Sequence, residues 1–363
     1  MKISRIETYT DGTIAFVRLV TDDGAEGFGQ IAPYNADIAA AVLHRQVAPH
    51  VLGTEVEQFD DLVDTLFDRN HKFPWSYVAR AVGGVDTAVW DLRGKEANKS
   101  VCELLGGAPR AIAAYGSSMR RDITPAQEAE RLKRLAGEEG FGAFKIRIGS
   151  ECGRDRDAWP GRTEQIVSAC REAIGPDMAL LVDANSCYAP ARAIEVGRLL
   201  EDHSVGHFEE PCPYWELEWT AEVAAVLDVP IAGGEQDNDL AQWRRMIRMD
   251  AVDIVQPDVC YVGGITRAMR VAKMAEQAGK PCVPHSANLS MVTLFALHLL
   301  AAIPNAGDYL EFTIDNPDWA TNLFAPALEV RDGTVAVPEG PVWGVTVSPA
   351  WLDGASRQVS ELD

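Results

Sequence analysis

Leu180-Leu181-Val182-Asp183-Ala184-Asn185, followed by Glu209-Glu210-Pro211 and then Ile231-Ala232-Gly233-Gly234-Glu235-Gln236, decides how this chain is read. Each piece ends a short apolar run on a carboxylate, and each gives way to a helical pattern. Outward from this stretch, Lys145 closes a similar run upstream, and Asp258, His285 and Glu311 close others downstream. Most of these rungs stand about 26 residues from the next, a spacing in the range of repeated supersecondary units. Strand, polar tip and helix in repetition predict an α/β fold, a (β/α)-barrel.

Eight barrel strands are expected: Ala113–Ser117, Ala143–Arg147, Leu180–Asp183, Gly206–Phe208, Pro230–Gly234, Val252–Gln256, Pro281–Pro284 and Asp308–Glu311. They assign 111–321 to the barrel, whose site belongs at the C-terminal strand ends, where the polar rungs lie. Residues 1–110 read as an α+β capping domain. Its meander turns at Asp11-Gly12 and Asp23-Gly24, and helices follow at Ala36–His50, Phe59–Asp68 and Ser76–Glu96. Residues 322–363 carry Pro and Gly without a repeat and are expected to pack back on the cap.

Composition narrows the function. Lys and Arg number 33 against 54 Asp and Glu, a net charge of −21 that repels nucleic-acid phosphate and anionic lipid. Neither partner is expected. No long apolar run and no leader-type N-terminus occurs, and the seven cysteines form no CxxC pair, so a reduced, cytoplasmic protein is predicted. Gly27-Phe28-Gly29 lacks the third glycine of a dinucleotide loop, and its glycines are read as easing a tight strand exit.

The rungs carry the chemistry. Asp183, Glu209 and Glu235 on three successive strands converge as hard oxygen donors, which suit Mg²⁺ better than zinc. Lys145 and Arg147, two apart on one strand, project into the same space. Three carboxylates and Mg²⁺ sum to −1, so a carboxylate substrate needs these two cations. Asp258 behind His285 has the form of an acid/base dyad, and Glu311, if protonated, could donate to a developing oxyanion. The remaining histidines, His207 among them, read as surface or packing residues. The segment Gly149–Arg162 reads as a surface excursion, the alternative being a reach over the barrel mouth in which Arg154, Arg156 and Trp159 read a second carboxylate or hydroxyls. Ile31–Asn35 and Lys72–Trp75 are candidate lid contacts.

With Gly84-Val85-Asp86-Thr87-Ala88-Val89-Trp90-Asp91, Leu104-Leu105-Gly106-Gly107 and Gly263-Gly264-Ile265-Thr266, these rungs resemble the mandelate racemase subgroup of the enolase superfamily over nearly the whole chain. The resemblance implies a modified TIM barrel under an N-terminal cap completed by the C-terminal segment. It implies Mg²⁺ on Asp183, Glu209 and Glu235, removal of the proton α to a carboxylate, and an enediolate intermediate. It also implies a homo-oligomer, dimer or octamer. One departure matters: the subgroup's second lysine of Lys-x-Lys is Arg147 here, and a guanidinium keeps its proton to roughly pH 12. Two-base racemisation is then disfavoured. A single-base dehydration of a sugar acid, aldonate or aldarate, to a 2-keto-3-deoxy acid is expected, with Lys145 on the substrate carboxylate and Arg147 on charge or the distal end. Racemase, epimerase or lactone cycloisomerase is the alternative, and a non-catalytic binding protein is the reading from another class.

Overall fold

The computed structural model describes residues 1–73 and 75–362. Pro74 in the candidate lid segment Lys72–Trp75, and Asp363, lie outside the described residues. The chain opens on the antiparallel strands β1 (Ile3–Thr10), β2 (Ala15–Thr21) and β3 (Glu26–Ile31). Gly12 and Gly24 turn them at φ 95° and 87°, the left-handed geometry that Asp-Gly favours. Helix α1 (Ala36–Val42), a π turn at Leu43–Val47, α2 (Phe59–Arg69) and α3 (Trp75–Ala97) follow. Val17 and Ile31 from the sheet bury against Val82, Val85 and Val89 of α3.

Gly27 and Gly29 have a different role from the expected one. They lie inside β3, and a Cβ at Gly27 or Gly29 would stand 2.3 Å from the carbonyl oxygen of Ala88 or Gly84 respectively. Only glycine lets α3 cross the sheet at this distance.

The barrel strands are β4 (Ala111–Ser117), β5 (Ala143–Arg147), β6 (Ala179–Asp183), β7 (Phe208–Glu209), β8 (Ile231–Gly233), β9 (Ile254–Val255) and β10 (Leu310–Thr313). They pair in parallel in the order β10-β4-β5-β6-β7-β8-β9. Helices α4 (Pro125–Glu139), α5 (Arg162–Ile174), α6 (Pro190–Asp202), α7 (Leu217–Ala224), α8 (Leu240–Arg248), α9 (Ile265–Gln277) and α10 (Met291–Leu300) separate them. The start of α4 is fixed by Thr124, which accepts from Gln127 N while Gln127 Oε1 accepts from Thr124 N.

Three strand expectations need correction, the eighth being displaced from Asp308–Glu311 to Leu310–Thr313. The fourth strand is displaced from Gly206–Phe208 to Phe208–Glu209, so the metal-ligand candidate lies in the ladder itself. The seventh, Pro281–Pro284, is no regular strand. Single parallel bridges hold it, Val255↔Cys282 on one side and Cys282↔Ala306 on the other. Pro281 and Pro284 have no N–H to donate, so the segment donates only through Cys282 N, to Asn305 O at 2.8 Å, and Val283 N, to Val255 O at 2.9 Å, while Pro281 O and Cys282 O accept from Val255 N and Gly307 N, both at 3.0 Å.

After β10, β11 (Phe324–Ala325) pairs with β13 (Thr346–Val347), β12 (Thr334–Ala336) lies antiparallel on β4, and β14 (Ser356–Glu361) adds to the edge of β1. The C-terminal segment thus touches both the barrel and the capping sheet. His44 in the π turn fastens the last strand, with Nε2 2.9 Å from Thr8 Oγ1 and Nδ1 2.8 Å from Ser360 Oγ.

Burial lowers the pKa of His44 from 6.5 to about 4. Between those values the unfolded chain binds a proton that the folded chain refuses, so stability rises with pH across this window and is lost as pH falls through it. The urea midpoint should therefore drop between pH 7 and pH 4.5 by less in His44→Gln than in the wild-type chain. An unchanged pH dependence in the variant would contradict this role for His44.

Candidate metal and acid/base site

Parallel pairing sets the polar strand ends side by side, with Arg147 opposite Asp183, Asp183 opposite Glu209, and Asp258 bridged to His285. All eight predicted site residues, Lys145, Arg147, Asp183, Glu209, Glu235, Asp258, His285 and Glu311, are buried. The structure gathers them into one network at the C-terminal mouth of the barrel.

Lys145 is its hub. Its Nζ lies 2.8 Å from both oxygens of Glu209, 2.9 Å from Glu311 Oε1 and 3.8 Å from Asp183 Oδ2. Burial works against the ammonium, yet Glu209 and Glu311 hold its pKa well above the ordinary lysine value. Burial likewise works against charge on Glu209, which Lys145 and then His207 pull well below the carboxylate range. Glu311 follows the same balance: Lys145 and His285 overcome burial and lower it to about 2. Both Glu311 oxygens accept hydrogen bonds, from Ser117 Oγ and Ser286 N at 2.8 Å, an arrangement that favours the ionised form over a protonated donor.

Arg147 donates to Asp183 and, at 2.8 Å, to Asn185 Oδ1. Asp258 accepts from Cys260 N at 2.7 Å and Tyr261 N at 3.0 Å through Oδ1, which leaves Oδ2 to accept from His285 Nδ1 at 2.8 Å. That contact assigns the ring proton to Nδ1 and turns Nε2 toward Glu235 Oε2, 3.1 Å away. Burial lowers the pKa of His285, but Glu235, Glu311 and Asp258 together raise it to about 10.

One oxygen from each of Asp183, Glu209 and Glu235 lies within 4.8 Å of the others. Glu235 Oε2 is buried and, among the described residues, makes no hydrogen bond despite its nearness to His285. A buried oxygen that accepts no hydrogen bond is costly, and a bound cation would offset that cost. Three carboxylates from separate strands, with no His or Cys among them, fit a hard divalent cation of the Mg²⁺ class. Such a cation would also cancel the Glu235 charge that raises His285 most.

Several contributors were not singled out from the sequence. Asn185 holds Asp183 through its backbone N at 2.7 Å and its Nδ2 at 3.2 Å, and Gln256 Nε2 donates to Glu209 Oε2 at 3.0 Å. His207, read as packing, is buried with Nε2 3.5 Å from Glu209 Oε2. Its position two residues before Glu209 was the available signal, since period two keeps such residues on one side of a strand. Glu210 and Asp237 are also buried near the trio, and burial first of all pushes both upward, Asp237 to about 7.

In the Gly149–Arg162 segment, Arg154 and Arg156 are exposed and Gly153 N donates to Ser186 O, a surface course beside the mouth. In the first candidate lid, Tyr34 meets Trp319 edge-on at 5.7 Å.

A parallel barrel under an α+β cap, with a carboxylate trio, a buried lysine and a His–Asp pair at its strand ends, defines a class of barrels equipped for cation binding and proton transfer. Residues 1–106 match the mandelate racemase / muconate lactonizing enzyme N-terminal domain, and 127–351 match the enolase C-terminal domain-like family. The chain belongs to this family of the enolase superfamily. Arabinonate dehydratase of Saccharolobus solfataricus is 31% identical, over 92% of this chain and 88% of the relative. D-galactarolactone cycloisomerase of Agrobacterium fabrum is 30% identical over the same shares, 92% and 88%. A crystal structure of a candidate racemase from Roseobacter denitrificans superposes with TM-score 0.98 at 57% identity and covers 100% of both chains. A mandelate racemase/muconate lactonizing protein of Paracoccus denitrificans, complexed with magnesium, gives 0.91 at 29% identity and covers 98% of each. Among the described residues no helix is long and apolar enough to cross a membrane.

If the trio is the cation site, Mg²⁺ at about 100 times its Kd should stabilise the wild-type chain by about 2.7 kcal/mol. A thermal-shift titration should show this rise and its loss in Asp183→Asn, Glu209→Gln and Glu235→Gln. A full Mg²⁺ response in all three variants would place the ion elsewhere.

Proposed function

We propose that the protein is a Mg²⁺-dependent dehydratase of a sugar acid, aldonate or aldarate, giving a 2-keto-3-deoxy acid. The observation that carries this reading is the His–Asp dyad of His285 and Asp258, with a guanidinium, Arg147, where a second base would stand. Mg²⁺ on Asp183, Glu209 and Glu235 would supply Lewis-acid charge to the substrate carboxylate and so acidify its α-proton.

The chain's own residues do the rest. His285 Nε2 takes the α-proton, while Asp258 fixes the opposite nitrogen and stabilises the imidazolium. Lys145, held between Glu209 and Glu311, offers its ammonium to the carboxylate oxygens on which charge builds. The imidazolium then returns a proton to the β-hydroxyl as its C–O bond breaks. One C–H and one C–O bond are lost, one C=C bond forms, water leaves, and the enol tautomerises to the 2-keto acid. Arg147 cannot exchange a proton on the other face at neutral pH, which supports elimination over two-base racemisation. The arabinonate dehydratase supports the same reading.

The cycloisomerase relative and the candidate racemase favour a second reading, in which His285 removes the same proton and no water is lost. Proton NMR in D₂O of a sugar-acid panel with Mg²⁺ separates the two. Metal-dependent 2-keto-3-deoxy signals, reduced roughly 10²–10⁴-fold in His285→Asn, are expected. Solvent deuterium entering a substrate that keeps its hydroxyl would replace dehydration with the isomerase reading.

A further inference from the structure

Arg80 stands on α3, at the seam where the cap meets the barrel mouth, half-buried. Its guanidinium lies flat on Tyr261, 3.9 Å from the ring centroid, and Nη1 donates to Pro33 O at 3.1 Å. Among the described residues it has no carboxylate partner. Other arginines of this seam do: Arg93 meets Asp60 at 2.9 Å and Arg270 meets Asp64 at 2.6 Å. Arg121, Arg162 and Arg171 also lack a carboxylate among the described residues, but each donates to two or more backbone carbonyls, whereas Arg80 donates to one.

Its placement relates to the proposed chemistry. The ring of Tyr261 lies 6.3 Å from that of His285. Asp258 sets both, since Oδ1 accepts from Tyr261 N and Oδ2 accepts from His285 Nδ1. The aromatic platform under Arg80 and the acid/base imidazole are thus fixed by one side chain. Stacking occupies a face of the guanidinium and Pro33 takes one of its five N–H groups, so in-plane donors remain for a second partner. A planar, charged, two-pronged donor matches a carboxylate better than a hydroxyl.

We infer that Arg80 binds the distal carboxylate of the substrate, so that the substrate is an aldarate, a sugar diacid, and not an aldonate. The inference rests on the proposed sugar-acid reading: the reacting carboxylate and α-carbon lie at the trio and His285, and the chain of the sugar runs past Tyr261 to the cap. Arg80 has no part in proton transfer. It fixes the far end.

The test compares matched aldarate and aldonate pairs, galactarate with galactonate and their stereoisomers, by turnover and α-proton exchange in D₂O. Binding to His285→Asn, with and without Arg80→Met, gives a readout free of turnover. Wild type should prefer the aldarate. Arg80→Met should weaken aldarate kcat/KM and binding by about 30-fold or more, largely through KM, while aldonates change little. Arg80→Gln, which retains a donor for Pro33, should behave like Arg80→Met, and it carries the test if the methionine variant misfolds. A structural role in pinning the Pro33 loop would impair both substrates alike, and that result overturns the assignment. Activity on aldonates alone, indifferent to Arg80, would overturn the diacid inference and leave the dehydratase reading intact. Absence of metal-dependent exchange with either class would overturn both.

Discussion

Everything at the mouth of this barrel depends on balancing buried negative charge. Asp183, Glu209, Glu235, Asp258 and Glu311 are all buried within one network, and Lys145 places an ammonium at its centre. Removing one partner of such a buried pair costs about 3–5 kcal/mol, because the other is left without a counterion. Lys145, Arg147 and His285 are therefore structural counterions as well as candidate reactive groups. Their partners are the oxygens that would hold a divalent cation, so the same carboxylates serve folding and function.

The scaffold delivers this network by strand register. Arg147, Asp183 and Glu209 are consecutive partners across three strands, so their side chains arrive together without help from long loops. Closure at the seventh position is weaker, resting on a few backbone bonds around two prolines. There the His285–Asp258 hydrogen bond adds a side-chain link to the backbone bridge between the same two residues. The cap is bound through glycine-mediated contact between α3 and β3 and through β14, which returns to β1.

The barrel and its charged rungs were legible because an ionisable residue at the end of an apolar run is conspicuous, and because seven such residues shared one rhythm. Ser117, Asn185 and Gln256 were not legible. Neutral polar residues are common at strand ends, and their value lies in which carboxylate they touch. His207 was missed because the expected strand ended at Phe208, which left Glu209 outside it and hid the period-two relation between the two residues. The Gly27 and Gly29 reading failed for another reason, since close approach of a helix 55 to 61 residues away is a tertiary fact with no local mark. Pro281 and Pro284 did carry a local signal against a regular strand, but the alternation of the repeat outweighed it.

Anomalous diffraction from crystals soaked in Mn²⁺, a stand-in for Mg²⁺, tests most directly whether the carboxylates form one cation site. A single strong peak among Asp183, Glu209 and Glu235, with Arg147 withdrawn from Asp183, is the predicted result. A peak away from these residues, or none at saturating Mn²⁺, would contradict the account.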